Sequence, residues 1–416
     1  MKQVYLDNQS NTKMDDIVFN SMIPYMKDYY GNPQSIYSLG QISKDAIEKA
    51  RISVSKLIKA KPEEIIFTSC ASESNNLAIK GFAYANLKKG KHIIVSAIEH
   101  FSVLNTVKSL QKDGFEISYV PVDKEGFVLL DELNKAIRKD TILVSIQHAN
   151  TEVGTIQNID EISKIVKEKN VVLHVDAVCS AGVIDIDVEK SKIDMLTFAG
   201  SVIYGPKGVA ALYVKKGIVI RPQIDGGVQE FSKRAGTENV PAIVGFGTAC
   251  DIAVSEMHKN YEHILKLRDR LINGLKNNID YIYLNGPQHD NRLPTNVNFS
   301  IEFVEGESLF LLLDAKGIMA SSGSACANKS LKISHVLTAL NVDVAVGQGS
   351  IVFTLSKYNT EEEIDYVIAE FPEIVKRLRM MSPLYDHFKT TGERMKAGPG
   401  TDYEHEHNHN ESCENI

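Results

Sequence analysis

At 416 residues the chain is long enough to bury a large core and too long for one small domain. Its 43% hydrophobic and 24% charged content is that of an ordinary globular protein, and a net charge of -7 without a basic block excludes a general nucleic-acid binder. No run of about 18 apolar residues points to a membrane span. The opening "MKQVYLDNQS" lacks a signal peptide's apolar region. Five scattered cysteines make no disulfide framework, so a cytoplasmic protein with free thiols is expected.

In chain order, short apolar runs alternate with amphipathic stretches. "EEIIFTS" (63–69), "KHIIVSA" (91–97), "TILVSIQ" (141–147), "VVLHVDA" (171–177) and "IDMLTFA" (193–199) read as buried strands, with helical patterns such as 76–89 and 160–169 between them. This alternation predicts an α/β fold, a mostly parallel sheet covered by helices on both faces. Ligands of such sheets bind beyond the carboxyl ends of the strands, and those ends are polar here. A helical pattern over 241–278 leads to a smaller α+β unit with strands at 295–300 and 349–354. Its last helix starts at "TEEEIDYVIAEF", where Thr360 and Glu363 match a capping box. The expected organisation is a segment 1–15 packing with the small domain, a large domain 16–278, the small domain 279–382 and a flexible tail from 383.

Four stretches carry chemistry. "FTSCASESNN" puts Ser72 in a strand-to-helix turn, either an anion site built from free N–H groups or an ordinary serine cap. "LHVDAV" ends a strand on Asp176, a carboxylate that needs a partner, either a protonated ring nitrogen or a core salt bridge. His100 in "IEHFSV" either lies over a cofactor ring or is hydrogen-bonded in place. "SSGSACANKS" surrounds Cys326 with small residues, which suits a mobile loop holding a reactive thiol.

Together with "GNPQSIYSLG", "HANTEVGTIQ", "YGPKGVAALYV", "RAGTENV" and "RLPTNVNFS", these stretches resemble the cysteine desulfurases in order. Those are pyridoxal-phosphate enzymes of the class V aminotransferase fold (fold type I), and the resemblance runs from "VYLDNQSNT" to "FTLSKYNTEEEID". It implies a homodimer with the cofactor near the subunit interface. Ser72 and the adjacent backbone would hold the phosphate, aided by Thr237 of the partner subunit. His100 would stack on the ring, Asp176 would pair its nitrogen, Asn150 would sit near its ring oxygen, and Cys326 would accept sulfur as a persulfide.

The departures cluster at the chemistry. The family reads histidine-lysine where this chain reads Ser201-Val202, and that lysine forms the Schiff base. Lys207, which the family shares, reads as structural. Val352 stands where an arginine clamps the substrate carboxylate. Cys179 replaces a glutamine, Cys70 a glycine and Tyr37 a histidine, and Gln9-Ser10-Asn11-Thr12 stands for an "AATT"-like run.

These losses predict that covalent cofactor attachment is absent and that ordinary desulfuration is absent or very weak. Cys326 would then serve as a persulfide carrier or a metal ligand. Cys70 and Cys179, with His100 and Cys326, are candidate ligands for zinc or an iron–sulfur cluster; otherwise the two cysteines fill volume. His405, His407, His409 and Cys413 of the tail are further candidate metal ligands. Two alternatives stand beside this pseudoenzyme reading. One is an active desulfurase or related lyase that holds its cofactor non-covalently and converts L-cysteine to L-alanine plus an enzyme persulfide. The other is a regulatory or scaffold partner of an intact desulfurase paralogue. An iron–sulfur scaffold or another sulfur acceptor is the expected partner, with no nucleic acid and no membrane.

Overall fold

A computed structural model describes residues 2–322 and 333–394. Strand β1 (Val4–Tyr5) and helices α1 (Asp16–Lys27) and α2 (Ser38–Leu57) come first. The main sheet is then laid down by β2 (Ile65–Thr68), α3 (Ala71–Ala85), β3 (His92–Ser96), α4 (Phe101–Lys112) and β4 (Glu116–Val120). It continues through α5 (Leu130–Ala136), β5 (Thr141–Gln147), α6 (Ile159–Glu168), β6 (Val172–Asp176), β7 (Met195–Ala199) and β8 (Ala210–Val214).

The seven strands lie in the order β2-β8-β7-β6-β5-β3-β4. Only β8 runs against its neighbours. All five strands expected from the apolar runs are present. β4 and β8 add two that the runs did not reveal. β4 is an edge strand whose residues are mostly part-exposed, so it carries no continuous apolar signal. β8 is wholly buried but follows the "YGPKG" turn. In that turn Gly205 must be glycine, because a Cβ there would stand 2.8 Å from Gly200 O.

The short α7 (Gln229–Ser232) precedes the 39-residue α8 (Val240–Asn278). Among the described helices α8 alone is long and apolar enough to cross a membrane, and half of that apolar stretch is buried inside the protein. Its first half, with Phe246 and Ala249, joins the core under the main sheet. Its second half, with Leu267 and Leu271, joins a separate core.

That second core is built by β9 (Ile282–Leu284), β10 (Asn296–Ile301), α9 (Gly306–Asp314) and β11 (Ile318–Met319). The chain then passes through α10 (His335–Ala339), α11 (Val344–Gly347), β12 (Ser350–Thr354), α12 (Glu361–Met380) and α13 (Pro383–Thr391). β12, β10 and β9 form an antiparallel sheet, while β1 crosses over to pair with β11. The Thr360–Glu363 capping box forms as expected.

Residues 383–391, expected in a flexible tail, are instead helical. Tyr385 and Phe388 of α13 pack on Phe303, at centroid distances of 5.4 and 5.0 Å, and this apolar contact orders the segment. His405, His407, His409 and Cys413 lie outside the described residues.

Candidate functional site

β3, β5, β6 and β7 are parallel, and β2 shares their direction through two antiparallel steps. Their carboxyl ends therefore gather Cys70, His100, Asn150, Asp176 and Val202 at one edge of the sheet.

Asp176 closes β6 with 7% exposure. Its Oδ2 accepts from Asn75 Nδ2 at 2.8 Å and its Oδ1 from Val178 N at 3.0 Å. Asn75 also donates to Ser102 Oγ at 2.8 Å, so a single amide ties α3, α4 and β6 together. The imidazole of His100 caps α4, its Nδ1 accepting from Ser102 N at 3.1 Å, and its ring is exposed. Ser72, on the first turn of α3, lines the same surface recess as His100.

The start of α3 is open. Cys70 holds the cap position but makes no capping bond, and Ser74 is the first residue of the helix whose N–H meets a main-chain carbonyl. The amides before it have no main-chain acceptor, which makes the helix start a natural seat for an anion. Glu73 reaches back to Ser69 N at 2.8 Å, just before the helix start, and accepts from Arg234 Nε at 2.9 Å. Burial would raise the Glu73 carboxyl, but Arg234 and Ser69 outweigh it and hold it below its ordinary range.

Val202 ends a short 3-10 turn, Gly200–Val202, and lines a cavity of about 60 Å³ together with Cys179, Gln9, Thr12, Thr354 and Lys357. Ser201 is engaged through its carbonyl, which accepts from Thr12 N and Oγ1. Lys207 is exposed on the following turn. Lys357 does line the cavity, but its ammonium is held by Asp15 at 2.8 Å and Glu256 at 3.3 Å. Burial pushes the Cys179 thiol well up, with Asp176 adding to the effect.

Asn150 spends its side chain on the fold: Nδ2 donates to Ile98 O, and Oδ1 accepts from Glu152 N and Val153 N. Tyr37 is an exposed residue at the start of α2, and Thr237 is exposed in the loop before α8. Val352 is wholly buried in β12. Cys326 lies outside the described residues.

The metal reading needs correction. Among the described residues no group of three or more His, Cys, Asp or Glu is arranged to hold a metal ion. Cys70 is exposed at the tip of α3, whereas Cys179 faces a cavity that Cys70 does not line.

Two buried acids escaped the sequence reading. Glu99 is fully buried, with Oε1 accepting from Ser96 Oγ at 2.5 Å and Gln147 N at 2.9 Å, while Oε2 accepts nothing. Burial, and then the nearby Asp176, push its carboxyl up to about 8. Glu152 accepts from Ser334 Oγ at 2.5 Å, and burial pushes it up to about 7. Both stand beside motif residues, Glu99 before His100 and Glu152 after Asn150, but burial of an acid leaves no trace in composition. Asn75 escaped it as well, although it follows Ser72 by three residues, one helical turn on.

The class-V aminotransferase family profile matches residues 4–367. The chain is 50% identical over 388 residues to "Cysteine desulfurase IscS" of Dictyoglomus turgidum, covering 93% of this chain and 98% of that protein. It is 51% identical over 383 residues to "Cysteine desulfurase IscS" of Methanosarcina thermophila, covering 92% and 94%. The chain belongs to the class-V aminotransferase family, among its cysteine desulfurases. Solved structures agree. A "NifS-like protein" superposes with a TM-score of 0.85 at 42% identity, covering 90% of this chain and 100% of that one. The apo cysteine desulfurase of Thermococcus onnurineus NA1 superposes with a TM-score of 0.81 at 26% identity, covering 90% and 95%. Class-V relatives this similar favour an enzyme of sulfur metabolism over the pseudoenzyme expected from the site departures.

Proposed function

We propose that this chain removes sulfur from a small aminothiol, as the name of its relatives says of cysteine, while holding pyridoxal phosphate without a covalent bond. The Asp176 geometry carries the reading: a buried carboxylate fixed from one side by Asn75 and Val178 N, beside the open start of α3. These residues fit the cofactor at two ends. Asp176 would accept from the protonated ring nitrogen, and the first amides of α3 with Ser72 would take the phosphate. They do not fit it at the third, because Val202 carries no nitrogen. When bound, the cofactor supplies a carbonyl that condenses with amines and a ring that draws electron density from them.

The chain's own groups have separate tasks in this reading. His100 lies across the same recess as Ser72. With Nδ1 occupied by Ser102 N–H, its Nε2 is the nitrogen left to hold or pass a proton. Cys326 would accept the sulfur as a persulfide and hand it to an acceptor protein. We also propose a homodimer, supported by the exposed stripe Phe19, Ile23, Met26 and Tyr30 on and after α1, with Thr237 completing the phosphate site of the other subunit.

Titration with pyridoxal phosphate tests this. Saturable binding that gel filtration reverses and borohydride does not fix is the expected result. Val202→Lys should gain a band near ~420 nm that borohydride bleaches. Absence of any cofactor binding overturns the proposal, and a borohydride-fixed adduct in the unaltered protein overturns its non-covalent part.

A further inference from the structure

Helix α10 joins the two domains. β11 before it and β12 after it contribute to the small core, whereas its Val336 and Leu337 are buried in the core under the main sheet. The chain enters it from residues 323–332, which include Cys326. Two bonds seat its start on the large domain. Ser334 caps the helix, its Oγ accepting from Val336 N at 3.0 Å and donating to Glu152 Oε2 at 2.5 Å. His335 Nε2 donates to Glu99 O at 3.0 Å, and its ring packs on Phe101 at a centroid distance of 4.9 Å.

Glu152 is where these parts meet. Its carbonyl accepts from Asn296 Nδ2 at 3.0 Å and Asn298 Nδ2 at 2.8 Å, both on the small sheet. Its N–H donates to Asn150 Oδ1, and its carboxyl reaches α10. That carboxyl is buried with one donor, Ser334, while Oε1 has no partner among the described residues. An ionised carboxylate has about four acceptor sites to fill, so one hydroxyl suits the neutral acid far better than the ion.

We propose that Glu152 is a proton-operated latch between the domains, holding α10 on the large core while protonated and loosening it on ionisation. Burial pushes this carboxyl up to about 7, and release of α10 into water would return it toward its ordinary value of 4.5. The docked form then keeps a proton that the released form sheds. Docking is therefore tightest below about pH 4.5, weakens as pH rises to about 7, and is level above that.

The titratable groups on the elements around Glu152 are His335 on α10, His148 after β5, Glu99 before α4 and Arg292 before β10. Among the described residues none of them bonds its carboxyl. Burial lowers His335 and His148, so their loss of charge with rising pH favours docking and opposes the effect. Arg292, lowered to about 9, keeps its charge through this window. Glu99 is the other acid, but its carboxyl bonds Ser96 and Gln147 of the large domain and only its carbonyl meets α10.

Hydrogen exchange of the full chain between about pH 5 and 8, read by mass spectrometry and corrected for intrinsic rates, tests the latch. Peptides covering 335–342 should exchange at least about tenfold faster at about pH 7 than at about pH 5, then level off. Peptides of β5, which open only with the whole fold, should not follow. Glu152→Gln keeps an acceptor for Ser334 and cannot ionise, so its 335–342 profile should no longer rise. A flat profile in the unaltered protein overturns the proposal, and so does an equal rise in β5. A rise that persists in Glu152→Gln assigns the effect to Glu99 and overturns it too. Should the buried glutamine prevent folding, the comparison of 335–342 with β5 in the unaltered chain decides by itself.

Discussion

Arg51 and Glu230 are both buried and meet at 2.7 Å, and Glu230 also accepts from Phe67 N at 2.7 Å. Removing the cation strands a carboxylate in the core, so Arg51→Met should cost about 3–5 kcal/mol in urea unfolding. An unchanged midpoint would contradict that account. Glu230 stands at φ 46, in a left-handed run through Ser232, so this pair also pins an unfavourable backbone. Neither partner announces itself in the sequence, since residues 179 apart carry no spacing signal. Asp176 was legible because a lone acid closing an apolar strand demands a partner. Asn75, which holds it, was not singled out, because asparagine on a helix face is ordinary until the sheet brings β6 beside α3.

At the level of elements, local chemistry is most decisive at α12. Glu363 N donates to Thr360 Oγ1, and Thr360 N donates back to Glu363 Oε2. Thr360→Ala should therefore lower stability by about 1 kcal/mol, visible as a fall in melting temperature with the spectrum unchanged. A change of only a few tenths would show that α12 is held by its packing alone. The capping box was readable because all its partners lie within four residues. α13 was not readable, because its short pattern becomes a helix only against Phe303 and Tyr281, brought there by the small sheet. The edge strand β4 was missed for a related reason: its half-exposed residues mimic a loop.

Over the whole molecule, buried titratable groups shape the pH response. Glu99 and Glu152 are raised to about 8 and about 7, so their contribution is complete below the ordinary carboxyl range and is lost as pH rises through those values. Burial lowers His148 to about 4 and His174 to about 3, so their contribution is complete above about 6.5 and is lost as pH falls. Between about pH 4.5 and 6.5 the two pairs oppose each other, and His92 and His335, which burial also lowers, tilt stability gently upward as pH rises. Above that only the acids act, and stability should fall by about 2 kcal/mol by pH 8. Urea unfolding at a series of pH values checks this, and Glu99→Gln should flatten most of the alkaline slope. At the same scale, Ile23→Glu on the exposed face of α1 should turn a dimer into a monomer in sedimentation; an unaltered mass would place any interface elsewhere.

The sequence alone determined the α/β alternation, the polar ends of its strands and the family. Those features are written in local periodicity and in short ordered motifs, which need no partner from elsewhere in the chain. It also revealed Val202 and Val352 as departures, since a missing nitrogen is visible in the side chain itself. Only the tertiary structure decided what those departures mean. It separated Cys70 from Cys179, committed Asn150 and Lys357 to structural partners, and closed Val352 inside β12. Each of these depends on contacts between distant segments, where burial fixes which charges remain free and no local pattern records it.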